Sequence, residues 1–303
     1  MIEAILQQTE QTSVIAQARL VESSVELGKN VTVHVRDQAD DRQYTVKVLF
    51  NDHGVREFEI LTRAHAALGN LVPKPVWGGW IDERYLLICD SVPNSALNAE
   101  TIIRFAPKVG HAIRRLTGFL VSSAALRPID GRDMLEEVRG LPPRLPHTDL
   151  ATALEAYLQR SDIGFLDRLS DLPQHSDLAI NNLGISVGSD DVLVFDWEDF
   201  GEVTVPGFDI AVLVSSVLKH DPERLRDLRD TSKPVSINSI VDAVLCELPI
   251  SRGQFWRMMP IHMCLFVDTK HRLGYAPEVV ERLQKAALTL LRPDWSQGRE
   301  GAG

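Results

Sequence analysis

Cysteine is scarce: Cys89, Cys246 and Cys264 are scattered over 303 residues. An odd number at those spacings excludes a disulfide framework and offers no zinc-type cluster, which fits a reducing cytoplasm. No apolar run approaches the roughly 20 residues of a spanning helix. The opening Met1-Ile-Glu-Ala-Ile-Leu-Gln-Gln8 lacks the basic and apolar regions of a signal peptide. Neither export nor membrane insertion is expected. No Lys/Arg block stands out, and the formal net charge is -10 with a pI near 5.4. The phosphate-tracking basic stripe of a nucleic-acid binder is therefore missing, and the acidity reads as solubility. No internal repeat is visible.

What is present is ample core material, 44% hydrophobic residues, enough for one large domain or a two-lobed one. Residues 1–20 are expected to hold a short helix. Val31, Val33 and Val35 then alternate with Thr32, His34 and Arg36, and a polar turn from Asp37 to Arg42 leads to Gln43-Tyr-Thr-Val-Lys-Val-Leu-Phe50. This predicts an antiparallel pair carrying Lys47 on the second strand. Lys47 alone reads equally well as an edge-strand lysine in solvent. Val55 to Leu68 has helical spacing, and Glu57 falls on the same stripe as Leu61, Ala64 and Leu68, so a carboxylate points inward. It needs a partner, and Lys47 is the nearest sheet lysine; the alternative is a plain surface glutamate. Glu59 with Arg63 is an ordinary solvated pair on another face.

Pro73 to Trp80 reads as a turn-rich connection, and Arg84 to Cys89 as an apolar strand whose character stops at Pro93. A boundary is placed here, giving an N-terminal lobe of 1–90 and a C-terminal lobe of 91–303. Beyond it helices are expected over 99–120, with a kink or break at Pro107, and near 150–158, 207–214, 237–248, 253–273 and 277–291. Between them, from His175 to Asp196, lies a polar loop feeding a β-hairpin: His-Ser-Asp-Leu-Ala-Ile-Asn-Asn, then Leu183 to Val187, a Gly188-Ser-Asp-Asp191 turn, and Val192 to Phe195. Residues summing to about 379 should then face each other, setting Asn182 beside Asp196 as two oxygen donors, with Asp177 in the loop before them. That layout suits a metal-bound phosphate with a base beside it.

His175-x-Asp177-x-x-x-x-Asn182, followed after the hairpin by Asp196-Trp-Glu-Asp199, resembles the catalytic and metal loops of the aminoglycoside phosphotransferase and choline kinase branch of the protein-kinase-like superfamily. Tyr44-Thr-Val-Lys47 is similar to the nucleotide-lysine strand, Glu57-Phe-Glu-Ile-Leu61 to the helix bearing its glutamate, and Leu87 to Pro93 to the adenine hinge. Pro206-Gly-Phe-Asp-Ile-Ala211 is similar to the helix start whose aspartate braces the catalytic loop. These pieces occur in family order from about Val21 to Val214.

The resemblance implies an α+β, two-lobed protein-kinase-like fold, with a small antiparallel N-lobe sheet carrying one key helix and a larger, mainly helical C-lobe. It implies an ATP-dependent phosphotransferase acting on a hydroxyl of a small molecule, cationic acceptors being among the candidates, and not on nucleic acid or at a membrane. Asp177 is implied as catalytic base, and Asn182 and Asp196 as magnesium ligands. Lys47 would hold the α- and β-phosphates, Glu57 would position Lys47, and the backbone from Asp90 to Val92 would receive adenine. His175 reads as a packed loop residue; Glu198 is left between a place near the metal and solvent.

Three departures stand out: the phosphate-covering turn, Ser23 to Asn30, has one glycine where protein kinases have three, Ser176 replaces a usual glycine, and Ala179 replaces a commonly polar residue. The segment from Asp196 to Asp209 is too short for a long activation loop, which disfavours a peptide or protein kinase, the alternative enzyme. A catalytically silent nucleotide-binding pseudokinase is the alternative of another class, and the intact Lys47, Asp177, Asn182 and Asp196 argue against it. The acceptor is expected to be read by the insert between Arg127 and Leu172 and by helices after Val214, with Asp199 and Glu202 as further candidates. Trp256 and Phe266 could stack on it, though core packing is the commoner fate of such residues.

Overall fold

The computed structural model describes residues 2–26, 30–49, 53–124, 134–229 and 236–296. The expected phosphate-covering turn lies partly outside these, at 27–29, as does the start of the expected insert. The chain forms two compact units: Met1–Ala96 with Asn182–Phe200, and Leu97–Asn181 with Gly201–Gly303. The expected boundary at residue 90 is a single cut; the compact units need three, because the hairpin returns to the first unit.

In the first unit, helix α1 (Ile2–Gln11) precedes β1 (Ala18–Glu26), β2 (Asn30–Asp37), β3 (Gln43–Leu49), helix α2 (His53–Leu68), β4 (Pro75–Ile81) and β5 (Arg84–Asp90). These strands make one antiparallel sheet in the order β1-β2-β3-β5-β4. Period-two alternation divides its residues. Val31, Val33, Val35, Tyr44, Val46, Val48, Leu86 and Ile88 close on Ile5 and Ile15 as a buried core. Thr32, Lys47 and Leu87 stand opposite one another in register on the other face, as do His34, Thr45 and Cys89. Sheet chemistry thus puts Lys47 on the face that the core does not use.

Residues 73–80, expected as a turn-rich connection, instead supply β4. Pro75 sits at its first position and the strand is at the sheet edge, where a missing N–H does least harm. The glycines that resemble turn residues are there for close approach: a Cβ on Gly78 would fall 2.5 Å from the Phe58 ring and 2.6 Å from the Tyr85 hydroxyl. A second sheet, β6 (Asn94–Ala96), β7 (Leu183–Ser186) and β8 (Val192–Val194), joins the hairpin to the end of the first segment. β6 had no strand pattern of its own.

The second unit is helical: α3 (Ala99–Arg104), α4 (Ala106–Ala124), α5 (Met134–Arg139), α6 (Thr148–Arg160), α7 (Phe208–Val217), α8 (Pro222–Arg229), α9 (Ser236–Leu245), α10 (Arg252–Arg272), α11 (Pro277–Leu290) and α12 (Pro293–Ser296). The break expected at Pro107 falls at Phe105, leaving Pro107 in the first turn of α4, where no N–H is missed. α10 is capped by Ser251, whose side chain and that of Gln254 bond each other's backbone N–H. It is buried on nearly every side, including Trp256 and Phe266, which are core residues. Among the described residues, no helix is long and apolar enough to cross a membrane.

His262 lies at the centre of α10, fully buried against Phe208 and Phe255, and neither ring nitrogen has a hydrogen-bond partner among the described residues. Burial pushes its pKa down to about 3. An unfolded chain takes up that proton near pH 6.5, so below this pH the unfolded state binds more protons and stability falls. His262→Leu is expected to be more stable at pH 7, because an apolar group replaces unsatisfied nitrogens. By pH 5 the advantage should grow by roughly 2 kcal/mol. Denaturant unfolding at both pH values checks this; an advantage unchanged between them contradicts it.

Candidate functional site

In the first unit the ammonium of Lys47 is set against three carboxylates. Its Nζ lies 3.1 Å from Glu57 Oε2, 2.7 Å from Asp196 Oδ1 and 2.8 Å from Glu198 Oε2. β3 delivers the lysine, the inward stripe of α2 delivers Glu57, and the segment after β8 delivers the other two. The side chains of Lys47, Glu57 and Glu198 are 12%, 3% and 10% exposed. Burial alone would depress the lysine, but the carboxylates prevail and hold it well above its ordinary value. Glu57 is raised to about 7, first by burial and then by repulsion from Asp196 and Glu198, against the pull of Lys47. One ammonium does not fully offset three anions, and the deepest carboxylate bears the difference.

Asn182 is buried at the entry to β7, and its C=O accepts the Phe195 N–H at 2.9 Å. The hairpin register is Leu183↔Val194, Gly184↔Leu193 and Ile185↔Val192. Facing residues therefore sum to 377, not 379, and Asn182 meets Phe195 with Asp196 one residue further on. The difference arises in the turn, where Ser186 N–H bonds Asp191 C=O and Asp190 N–H bonds Ser186 C=O. The connection thus closes on Ser186 and Asp191, and Asp190 takes a left-handed φ of 56°. Asp196 itself has φ 60°, a conformation that aspartate tolerates better than most residues and that turns its side chain out of the strand alternation.

Lys47, Glu57 and Asp196 line a cavity of about 520 Å³, together with Leu87, Cys89 and the backbone run Asp90-Ser91-Val92. All of these belong to the first unit. The run is held by its own sheet: Asp90 N–H bonds Lys74 C=O and Ser91 N–H bonds Gln43 C=O. Apolar walls at one part and charge at another make a pocket suited to a flat heterocycle bearing an anionic tail. The donors Asn182 and Asp196 are hard oxygens, the type magnesium takes. Among the described residues no group of three or more His, Cys, Asp or Glu forms a ready cage. Magnesium held by one or two protein oxygens, with phosphates completing its shell, fits that set.

In the second unit the loop bearing Asp177 hangs from Asp209. The Asp209 carboxylate accepts the N–H of His175 at 2.7 Å and of Ser176 at 2.9 Å, and its own N–H donates to Gln174 Oε1 at 3.2 Å. Burial raises Asp209 to about 7, against the two backbone donors. Ser176 has φ 69°, the left-handed conformation that explains a glycine preference at that position. Its hydroxyl compensates by accepting from Val203 N–H and donating to Gln174 C=O. His175 is fully buried, as expected of a packing residue.

Asp177 is paired with a residue absent from the expected set. Lys270, near the end of α10, places its Nζ 2.8 Å from Asp177 Oδ1. Its basic neighbours His271 and Arg272 disguise it as an ordinary last-turn helix cation, and only the tertiary contact reveals it. Glu198 was likewise undecided. On another face of α10, Asp268, Thr269 and Arg272 line a cavity of about 430 Å³ with Glu137, Arg144 and Glu202. Arg144 and Arg272 both reach Asp268, and each also holds a glutamate, Glu137 or Glu202. Asp199, the other acceptor candidate, is buried in the first unit.

The structure is similar to that of an ethanolamine kinase from Plasmodium vivax, with TM-score 0.61 and 12% identity over 92% of this chain and 83% of that one. A choline kinase from Cryptosporidium parvum gives 0.61 and 12%, over 96% and 94%. A thermostable mutant of an aminoglycoside phosphotransferase, in a ternary complex with ADP and hygromycin B, gives 0.61 and 11%, over 99% of each chain. No protein-family model and no curated sequence matches. The likeness is one of fold: an antiparallel sheet unit and a mainly helical unit.

Removing the shared cation tests the ion cluster. Lys47→Met should destabilise the protein by about 2 kcal/mol or more at pH 8, by leaving buried carboxylates uncompensated. Adding Glu57→Gln should recover part of that loss. Thermal or denaturant unfolding of the single and double variants measures it; a Lys47→Met protein as stable as wild type contradicts the picture.

Proposed function

We propose that this chain is an ATP-dependent phosphotransferase that moves the γ-phosphoryl group to a hydroxyl of a small molecule. The observation that carries the reading is the Lys47–Glu57–Asp196 ion cluster lining a cavity that also holds the apolar Leu61 and Leu87 and the backbone run at 90–92. The fold relatives support it, since they include kinases of ethanolamine and choline and a phosphotransferase holding ADP.

When bound, ATP with magnesium supplies the transferable phosphoryl group and neutralises the charge that develops on it. Lys47 would hold the α- and β-phosphates with Glu57 fixing its position, while Asn182 and Asp196 would ligate the metal. Adenine would rest against Leu87 and Cys89, with the backbone from Asp90 to Val92 reading its edge. Asp177 would orient the acceptor hydroxyl and take its proton, on a loop whose shape Asp209 maintains.

The acceptor reading places the substrate in the 430 Å³ cavity of the second unit, where Glu137, Glu202 and Asp268 outnumber Arg144 and Arg272. That balance favours acceptors carrying a cationic nitrogen, as ethanolamine, choline and hygromycin B do. The helix that lines the cavity also presents Lys270 to Asp177, so cavity and base share one rigid support.

Asp177→Ala is expected to keep ATP affinity within about 2-fold and to lower turnover by about 100-fold or more, the scale of losing a general base. Turnover near wild type in that variant would sink the assignment. Asp196→Ala should abolish the magnesium-dependent part of ATP binding in a thermal-shift titration with and without the metal. A panel of amino alcohols, choline-like compounds and aminoglycosides, scored by ADP release, identifies the acceptor. ATP binding without ADP release from any of them would favour the pseudokinase reading.

A further inference from the structure

The loop around Asp177 brings no cation of its own: residues 176 and 178–181 are Ser, Leu, Ala, Ile and Asn. The positive charge beside the base comes from another element, the last turn of α10. Lys270 and Asp177 meet at 2.8 Å with side chains only 3% and 10% exposed. The Tyr275 ring centroid lies 3.9 Å from Lys270 Nζ and that of Phe266 5.4 Å. Tyr275 N–H bonds the Lys270 C=O at 3.0 Å, which closes the helix end and fixes where the tyrosine leaves it.

An ammonium taken out of water is costly unless its environment replaces the lost solvation. Here a carboxylate oxygen and two π faces do so. A lysine needed only for packing or solubility has no reason to sit in such a cage; Leu or Met would fill the space without the desolvation cost. What the cage achieves is a fixed point charge against one oxygen of Asp177.

We propose that Lys270 is a positioning residue for phosphoryl transfer and acts through Asp177. This rests on the phosphotransferase reading above. In that step the acceptor oxygen bonds to the γ-phosphorus. The bond from γ-phosphorus to the bridging oxygen breaks with its electrons left on ADP, and the hydroxyl proton passes to Asp177. Lys270 pins one carboxylate oxygen, so that the base meets the hydroxyl in one orientation.

A double-mutant cycle on full-length protein separates this role from a structural one. Turnover is read as ADP release, with water as acceptor and with the best hydroxyl compound from the panel. Lys270→Met is expected to lower kcat about 10- to 100-fold with the KM for ATP within about 2-fold, and Lys270→Arg to recover part of the loss. In the Asp177→Asn background, adding Lys270→Met should cost less than about 2-fold further, because its effect runs through the carboxylate. Asp177→Asn/Lys270→Met removes both charges and so avoids a stranded one. If Lys270→Met alone does not fold, Tyr275→Leu serves in its place, with about a 5-fold loss of kcat expected in wild type and none in Asp177→Asn. Equal losses in both backgrounds, or wild-type kcat without Lys270, overturn the role of Lys270. Full activity of Asp177→Asn overturns the phosphotransferase reading itself.

Discussion

One ammonium facing three carboxylates governs the first unit. Lys47, on β3, is the point where the inward stripe of α2 and the segment after the hairpin converge, the first contributing one anion, Glu57, and the second two, Asp196 and Glu198. Charge of this kind is a poor way to stabilise a fold, since desolvating four ionised groups cancels most of their attraction. Glu57, held at about 7, carries the residual repulsion. A bound nucleotide and its cation would re-pair both halves of the cluster, the phosphate with the ammonium and the cation with the excess negative charge. That is the physical content of the phosphotransferase reading.

The second unit shows the same economy in a different form. Asp209 spends a buried carboxylate on two backbone N–H groups, and so sets the course of the loop that presents Asp177. Three non-glycine residues sit at positive φ in this stretch of sequence, Ser176 before the base, Asp190 in the hairpin turn and Asp196 after the hairpin. Conformations of this sort cost of order 1–3 kcal/mol each and persist where surroundings over-determine them. Ser176 shows how: its hydroxyl is bonded on both sides.

Much of this was legible in the sequence where a local pattern carries the information. The alternation of Val31 to Val35 and Tyr44 to Val48, and Glu57 on an apolar stripe, directly encode which side faces inward. The Pro-x-x-Asp start at Pro206 encodes the brace. The hairpin was visible but its register was not, because the turn, with Gly188 and Asp190 both left-handed, closes on Ser186 and Asp191 and moves every pairing by two in the sum, and composition does not specify that. β4 was hidden by Gly78 and Gly79, whose role is to let Phe58 and Trp77 approach. Lys270 and Glu198 were hidden for a deeper reason: both are ordinary charged residues locally, and their significance exists only in contacts across long stretches of chain.

Covalent transfer of the γ-phosphoryl group is the decisive event. In ³¹P NMR of the protein with ATP, magnesium and the amine-bearing hydroxyl panel, the γ-phosphate resonance should disappear while a phosphomonoester resonance grows in equal amount, with inorganic phosphate a minor product. Bound nucleotide whose spectrum never yields a monoester, with any acceptor, would contradict it.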